Sequence, residues 1–186
     1  MPFDRSGSDL TAHALRAWKA IGWTKKCTRR GLAYLARTQR PDGSWLPLWF
    51  GNQHAPDDEN PTYGTARVLA AYRDLDMMSS DPARRGVGWL LAAQNADGGW
   101  GGAPDTPSSV EETALAVEVL LDGPDTAAAV NNGLRWLVQQ VEAGGLHRPT
   151  PIGFYFAKLW YFEKLYPIIF VVAALGRARR RFGLVA

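Results

Sequence analysis

Gln39-Arg40-Pro41-Asp42-Gly43-Ser44-Trp45 and Gln94-Asn95-Ala96-Asp97-Gly98-Gly99-Trp100 decide the fold of this chain. Both read Gln-x-x-x-Gly-x-Trp, and both close a helical pattern. Their lead-ins agree as well: Arg30-Gly31-Leu32-Ala33-Tyr34-Leu35 and Arg85-Gly86-Val87-Gly88-Trp89-Leu90. Gly31 to Gly86 and Gln39 to Gln94 are each 55 residues apart, so whole units repeat rather than isolated residues. A weaker third copy begins at Asn132-Gly133-Leu134-Arg135-Trp136-Leu137. It ends at Gln140, Gly144 and Gly145, with Leu146 where Trp would stand. Self-similarity at a fixed period is the signature of stacked supersecondary units.

Within each copy a helix leads into a turn and then a Trp. Leu32, Leu35 and Ala36 make one apolar helical stripe, and Val87, Leu90 and Leu91 make its counterpart. Asp-Gly supplies the turn, because Gly accepts positive φ and Asp bonds local backbone. The repeat residues Gln39, Gly43, Trp45, Gln94, Gly98 and Trp100 are therefore expected to be scaffold. Each Gln is placed to hydrogen-bond backbone of the next repeat, and each Trp to contribute buried area.

Working outward, helices are expected at about 9–21, 25–39, 62–75, 82–94, 109–121, 126–141, 152–163 and 167–181. Ser8 reads as the N-cap of the first and Ser109 opens the fifth. Sustained period-2 alternation is nearly absent, which excludes a sheet-based architecture. The longest break runs from Leu46 to Pro61, and a loop of this length is often functional. Eight helices in hairpin pairs give an all-α fold class, an α/α toroid, with residues 1–186 as a single domain. A closed barrel of twelve helices needs roughly 300 residues at helical rise plus loops, so this chain is expected to form a partial barrel with apolar open edges.

Composition narrows the function. With 46% hydrophobic and 21% charged residues the chain is an ordinary globular one, and a net charge of +3 is too small to point to nucleic acid. The single cysteine, Cys27, excludes an internal disulfide framework and a Cys-rich zinc site. His13, His54 and His147 have no paired spacing, so no metal is expected, and no cofactor. Gly98-Gly99-Trp100-Gly101-Gly102 lacks the Lys-Ser/Thr of a phosphate loop. The Met1–Ser6 start is no signal peptide, and the apolar run Tyr166–Gly176 is too short to cross a bilayer.

Three further segments, taken with the repeats, resemble the C-terminal portion of squalene–hopene cyclases and related class II triterpene cyclases over about Ser8–Arg181. Asp9-Leu10-Thr11-Ala12-His13 is similar to the family's Asp-x-Thr-Ala-His helix. The resemblance implies that His13, with Asp9 on the same helix face, supports the catalytic aspartic acid. Trp45-Leu46-Pro47-Leu48-Trp49 followed by Tyr63-Gly64-Thr65 resembles a second family segment, although the link 50–62 is longer here. It implies that Trp49 is a cavity-wall aromatic and that Tyr63 lies near the acid. The stretch Ile152–Arg177 resembles the family's C-terminal segment and places Tyr155, Leu159 and Phe162 at cavity positions. At i, i+4 and i+7, these three are expected on one helix face.

Class II cyclisation starts when an aspartic acid of an Asp-x-Asp-Asp motif protonates an alkene or epoxide. Aromatic faces then stabilise the travelling carbocation, at about 0.5–2 kcal/mol per ring, and a dry cavity keeps water away. This sequence contains no Asp-x-Asp-Asp. Glu111, Glu112, Asp57 and Asp58 are weighed as substitutes and read instead as solvated charges. The expectation is the C-terminal region of a class II terpene cyclase, an isomerase-type enzyme, which does not cyclise alone. Its implied partners are an isoprenoid such as squalene and the missing half of the barrel in cis or in trans, or a second copy. The implied setting is cytoplasmic, with peripheral contact to the membrane face through Arg177, Arg179, Arg180 and Arg181. The alternative is a non-catalytic toroid module that binds a partner chain or a hydrophobic isoprenoid. A protein prenyltransferase subunit fits less well, since no zinc ligand set assembles around Cys27.

Overall fold

A computed structural model of the protein describes residues 5–22, 26–154 and 159–183. Among them are seven α-helices: α1 (Ser8–Ala20), α2 (Lys26–Thr38), α3 (Pro61–Asp74), α4 (Asp81–Ala92), α5 (Val110–Leu120), α6 (Ala127–Glu142) and α7 (Tyr166–Arg181). A two-stranded antiparallel hairpin, β1 (Pro151–Phe154) and β2 (Leu159–Phe162), precedes α7. The helices alternate between two layers. Helices α1, α3, α5 and α7 are successive neighbours; α2 lies on α1, α4 on α3 and α6 on α5. This inner–outer alternation is that of an α/α toroid.

Burial follows the layers. Helix α3 is buried from Pro61 to Arg73 except at Arg67, and α5 is buried at every position but Glu118. A helix that is covered all round must be apolar or satisfied all round. Outer α4, by contrast, buries only Ala83, Val87, Gly86 and Leu90. The starts of α3 and α5 carry side-chain caps: Asn60 Oδ1 accepts from Tyr63 N–H at 2.9 Å, and Ser109 Oγ accepts from Glu112 N–H at 3.1 Å. At α1 the cap is Gly7, not Ser8, whose hydroxyl instead sits 3.3 Å from Thr38 Oγ1.

The repeat turns are superimposable in their bonding. Gly43 and Gly98 have φ of 98° and 92°, a region where a Cβ is strained. Gln39 Nε2 donates to Gly43 O at 2.8 Å and, across the units, to Pro82 O at 2.9 Å. Gln94 Nε2 donates to Gly98 O at 2.9 Å and to Ala129 O at 3.0 Å. Trp45 and Trp100 are fully buried, and their indole N–H groups donate to Leu35 O and Leu90 O at 2.7 and 2.8 Å. Each Trp also explains the Gly of the next lead-in. A Cβ on Gly86 would stand 2.7 Å from Trp45 Cζ3, and one on Gly133 would stand 2.7 Å from Trp100 Cζ3. The repeat is thus a lock between units: the ring of one copy occupies the space that the next copy leaves empty.

The segment expected as a helix at 152–163 is a hairpin instead. Its register pairs Pro151 with Phe162 and Gly153 with Trp160. The physical reason lies in its composition: Pro151 and Gly153 disfavour a helix, and Ile152 with a dense run of aromatics favours a pleated surface. Tyr155 lies outside the described residues.

Candidate functional site

The Trp45–Asn60 loop is stitched to its surroundings by backbone groups. Trp45 N–H donates to Thr65 Oγ1 at 2.9 Å, Leu48 N–H to Asp9 Oδ1 at 2.9 Å, and Gly51 N–H to Gly153 O at 3.0 Å. The Asp9 bond matters most here. It ties the first turn of α1 to the chain just before Trp49, and Asp9 is buried in doing so. Two segments distant in sequence therefore converge.

They converge on a cavity of about 410 Å³, lined by Asp9, Leu10, His13, Trp49, Phe50, Tyr63, Arg67, Tyr166 and Phe170. Of the residues singled out in the sequence, Asp9, His13, Trp49 and Tyr63 come together here. Leu159 and Phe162 do not: both stand on β2, strongly exposed at 57% and 64%, and away from this lining. Three apart on a strand, they take opposite faces, so the shared helix face expected for them does not exist.

Five lining residues were not anticipated as site residues: Leu10, Phe50, Arg67, Tyr166 and Phe170. Phe50 packs on Tyr63 with ring centroids 4.7 Å apart, and Tyr166 on Phe170 at 5.1 Å. Arg67 and Phe170 are each four residues beyond an aromatic on the same helix, Tyr63 and Tyr166, and that spacing was the available signal. The Arg67 guanidinium lies 4.9 Å from the Tyr63 ring centroid and 4.8 Å from that of Phe170.

Electrostatics within the cavity are set by burial and by this arginine. His13 stands at the open rim. Its pKa is lowered, first by partial desolvation, then by the charges of Arg67 and Arg16, with Asp9 opposing. The ring is therefore neutral at pH 7 and free to exchange a hydrogen bond with an acid. The Tyr63 phenol is pushed up, chiefly by burial, so it remains an O–H donor.

Glu111 and Glu112 are not the solvated charges expected of them. Both are buried, at 3% and 2% exposure. Glu111 accepts from Thr150 N–H and Oγ1–H at 2.8 and 2.9 Å, holding the entry to the hairpin. Glu112 accepts from Asn60 Nδ2 at 2.8 Å and contacts the Ser109 hydroxyl. Burial, and next the adjacent Glu111 charge, push the Glu112 carboxyl up to about 7. Neither lines the aromatic cavity. They anchor the loop and the hairpin that flank it. No group of His, Cys, Asp and Glu suited to a metal ion occurs among the described residues.

Repeat turns, alternating helix layers and an aromatic cavity with a His/Asp pair together define a terpene-cyclase type of α/α barrel. Residues 2–180 match the family described as the squalene-hopene cyclase C-terminal domain, and the chain belongs to that family. It is 30% identical to a squalene–hopene cyclase of Bradyrhizobium diazoefficiens over 89% of this chain and 27% of that protein. It is 32% identical to a copalyl diphosphate synthase of Streptomyces cyslabdanicus, over 88% of this chain and 30% of that one. Among solved structures, ent-copalyl diphosphate synthase from Streptomyces platensis superposes with a TM-score of 0.66 at 25% identity, covering 97% of this chain and 34% of that one. The chain thus spans only about a third of the length of these relatives. No helix among the described residues is long and apolar enough to cross a membrane.

Proposed function

We propose that this chain forms the C-terminal part of a class II terpene cyclase barrel and furnishes one wall of its isoprenoid cavity. The observation that carries this reading is the convergence of Asp9, His13, Trp49 and Tyr63 on one aromatic-lined cavity. In it, the electron-rich faces of Trp49 and Phe50, away from the Arg67 guanidinium, stabilise a carbocation. His13, neutral at pH 7, hydrogen-bonds the aspartic acid that protonates the substrate, and Asp9 holds the Trp49 loop against α1. The acid comes from the rest of the barrel, in the same polypeptide or another, because this sequence has no Asp-x-Asp-Asp.

The exposed apolar side chains of β2, α7 and the turn between them, Leu159, Phe162, Leu165, Ile169 and Val172, form the surface on which that remainder, or a second copy, packs. In this reading the protein works in the cytoplasm, and the run Arg179–Arg181 at the end of α7 supports peripheral contact with anionic lipid. The test is product analysis. Purified chain incubated with squalene or with geranylgeranyl diphosphate is expected to yield no cyclised product. Hopene, or any bicyclic diphosphate, formed by the chain alone would sink this proposal.

A further inference from the structure

Arg67 is the odd residue of the inner layer. Six residues further along the same helix, Arg73 is nearly as enclosed as any arginine can be, and it is paired twice, with Asp74 at 2.9 Å and Glu118 at 3.1 Å. Arg16, Arg40 and Arg177 likewise hold carboxylates, at 2.7–2.8 Å. Arg67 has no carboxylate within ion-pair distance among the described residues, and its Nε is buried without a hydrogen-bond partner there. Instead its guanidinium is held between the rings of Tyr63 and Phe170 and opens on the cavity.

A fixed cation in a largely aromatic wall, with Asp9 the one carboxylate of the lining, has two consequences. It repels a carbocation brought close to it, so the cation-stabilising stretch of the cavity lies elsewhere along the aromatic wall. It also strongly favours an anion brought to the same place, since the site is already partly desolvated and the guanidinium fork matches oxyanions. Asp9 does not fill this role: its Oδ1 is engaged by Leu48 N–H, and it makes no ion pair with Arg67. Neutral His13 and the Tyr63 hydroxyl are further groups at this corner.

We infer that Arg67, with His13 and Tyr63 beside it, is the seat of an oxyanion that enters the aromatic cavity from outside this chain. This rests on the reading that the cavity takes an isoprenoid, and it adds an anion-receiving corner to it. The anion has two sources of the same chemistry. One is the conjugate base of a carboxylic acid borne by the remainder of the barrel, which Arg67 then stabilises after proton transfer. The other is the charged head of an isoprenoid ligand.

Three probes of one chain length separate these: farnesol, farnesoic acid and farnesyl diphosphate, titrated calorimetrically against the purified protein. The acid is expected to bind about tenfold more tightly than the alcohol, the effect of one well-placed charge-assisted pair. Arg67→Met is expected to remove the ratio between acid and alcohol affinities, each measured on the same variant, and Arg67→Lys to retain part of it. A diphosphate that binds no better than the carboxylate assigns the seat to a single carboxylate; one that binds much better assigns it to a ligand head. Equal binding of farnesol and farnesoic acid by the wild-type chain overturns the inference and leaves the isoprenoid cavity standing. A preference that persists in Arg67→Met also overturns it, because the anion then sits elsewhere. If none of the three binds, the inference and the cavity reading fall together.

Discussion

The two repeat turns and the C-terminal hairpin are built from similarly aromatic sequence, yet they end in opposite states. Trp45 and Trp100 are sealed, each with its indole N–H bonded to a helix-terminal carbonyl and its ring seated over the glycine of the next unit. Leu159 and Phe162 of β2 are exposed, and Val172 of α7 is 64% exposed as well. The difference teaches what each region is for. The turns complete themselves within the chain, so they specify the fold. The hairpin and one face of α7 leave apolar side chains open to solvent, and in the function proposed above they are where the rest of the barrel packs.

The largest effect that breaks this contrast is truncation of a sealed Trp. Trp100→Ala is expected to cost about 3–5 kcal/mol in urea unfolding, whereas Phe162→Ala is expected to stay within about 0.5 kcal/mol. Equal losses at both positions would mean that the hairpin is as complete as the turns.

Next comes overpacking of the lock. Gly86→Ala puts a methyl 2.7 Å from Trp45 Cζ3 and is expected to destabilise by about 1–3 kcal/mol. Gly88, one step round the same helix, has nothing within 4 Å of an added Cβ. Gly88→Ala is expected to stabilise by up to about 1 kcal/mol through helix propensity. Thermal denaturation of the pair reads the difference directly.

How much of this was legible in the sequence follows the same division. Gln-x-x-x-Gly-x-Trp reads clearly because its bonds are local or repeat at a fixed interval, so Gln39 and Gln94 announce their partners. Asp9, His13, Trp49 and Tyr63 were recognisable as residues, but their convergence comes from long-range contacts, α1 packed on α3 and Leu48 N–H bonded to Asp9. The hairpin was misread because Tyr155, Leu159 and Phe162 carry a helical spacing by coincidence, while β propensity and Pro151 and Gly153 decide the backbone. Arg67 was passed over, since an arginine on a helix looks solvated until its neighbours are known. Glu111 and Glu112 were misjudged for the same reason: nothing local shows that Thr150 and Asn60 reach them.

Glu112 sharpens the comparison through pH. Its carboxyl titrates near 7 in the fold against 4.5 for the ordinary group, so the folded state holds a proton that the unfolded state has lost between those values. Stability is therefore full below about pH 4.5, declines as pH rises towards 7, and levels off above it, with a slope of up to about 1.4 kcal/mol per pH unit. Glu112→Gln, which keeps the Asn60 acceptor, is expected to flatten that decline in denaturant melts at pH 5 and pH 8. An unchanged slope would assign the effect to another group.

The smallest expected effect is at His13. Removing the Arg67 charge relieves one cause of its lowered pKa, so Arg67→Met is expected to raise the His13 titration midpoint seen by NMR. A midpoint that stays put would mean that desolvation alone sets it.

The most direct test is to find where an isoprenoid sits. A farnesyl probe bearing a photoactivated diazirine, crosslinked to the purified chain and mapped by mass spectrometry, is expected to label Trp49, Phe50, Tyr63 or Phe170. Labelling confined to Leu159, Phe162 and Val172, with the cavity residues untouched, would contradict the account.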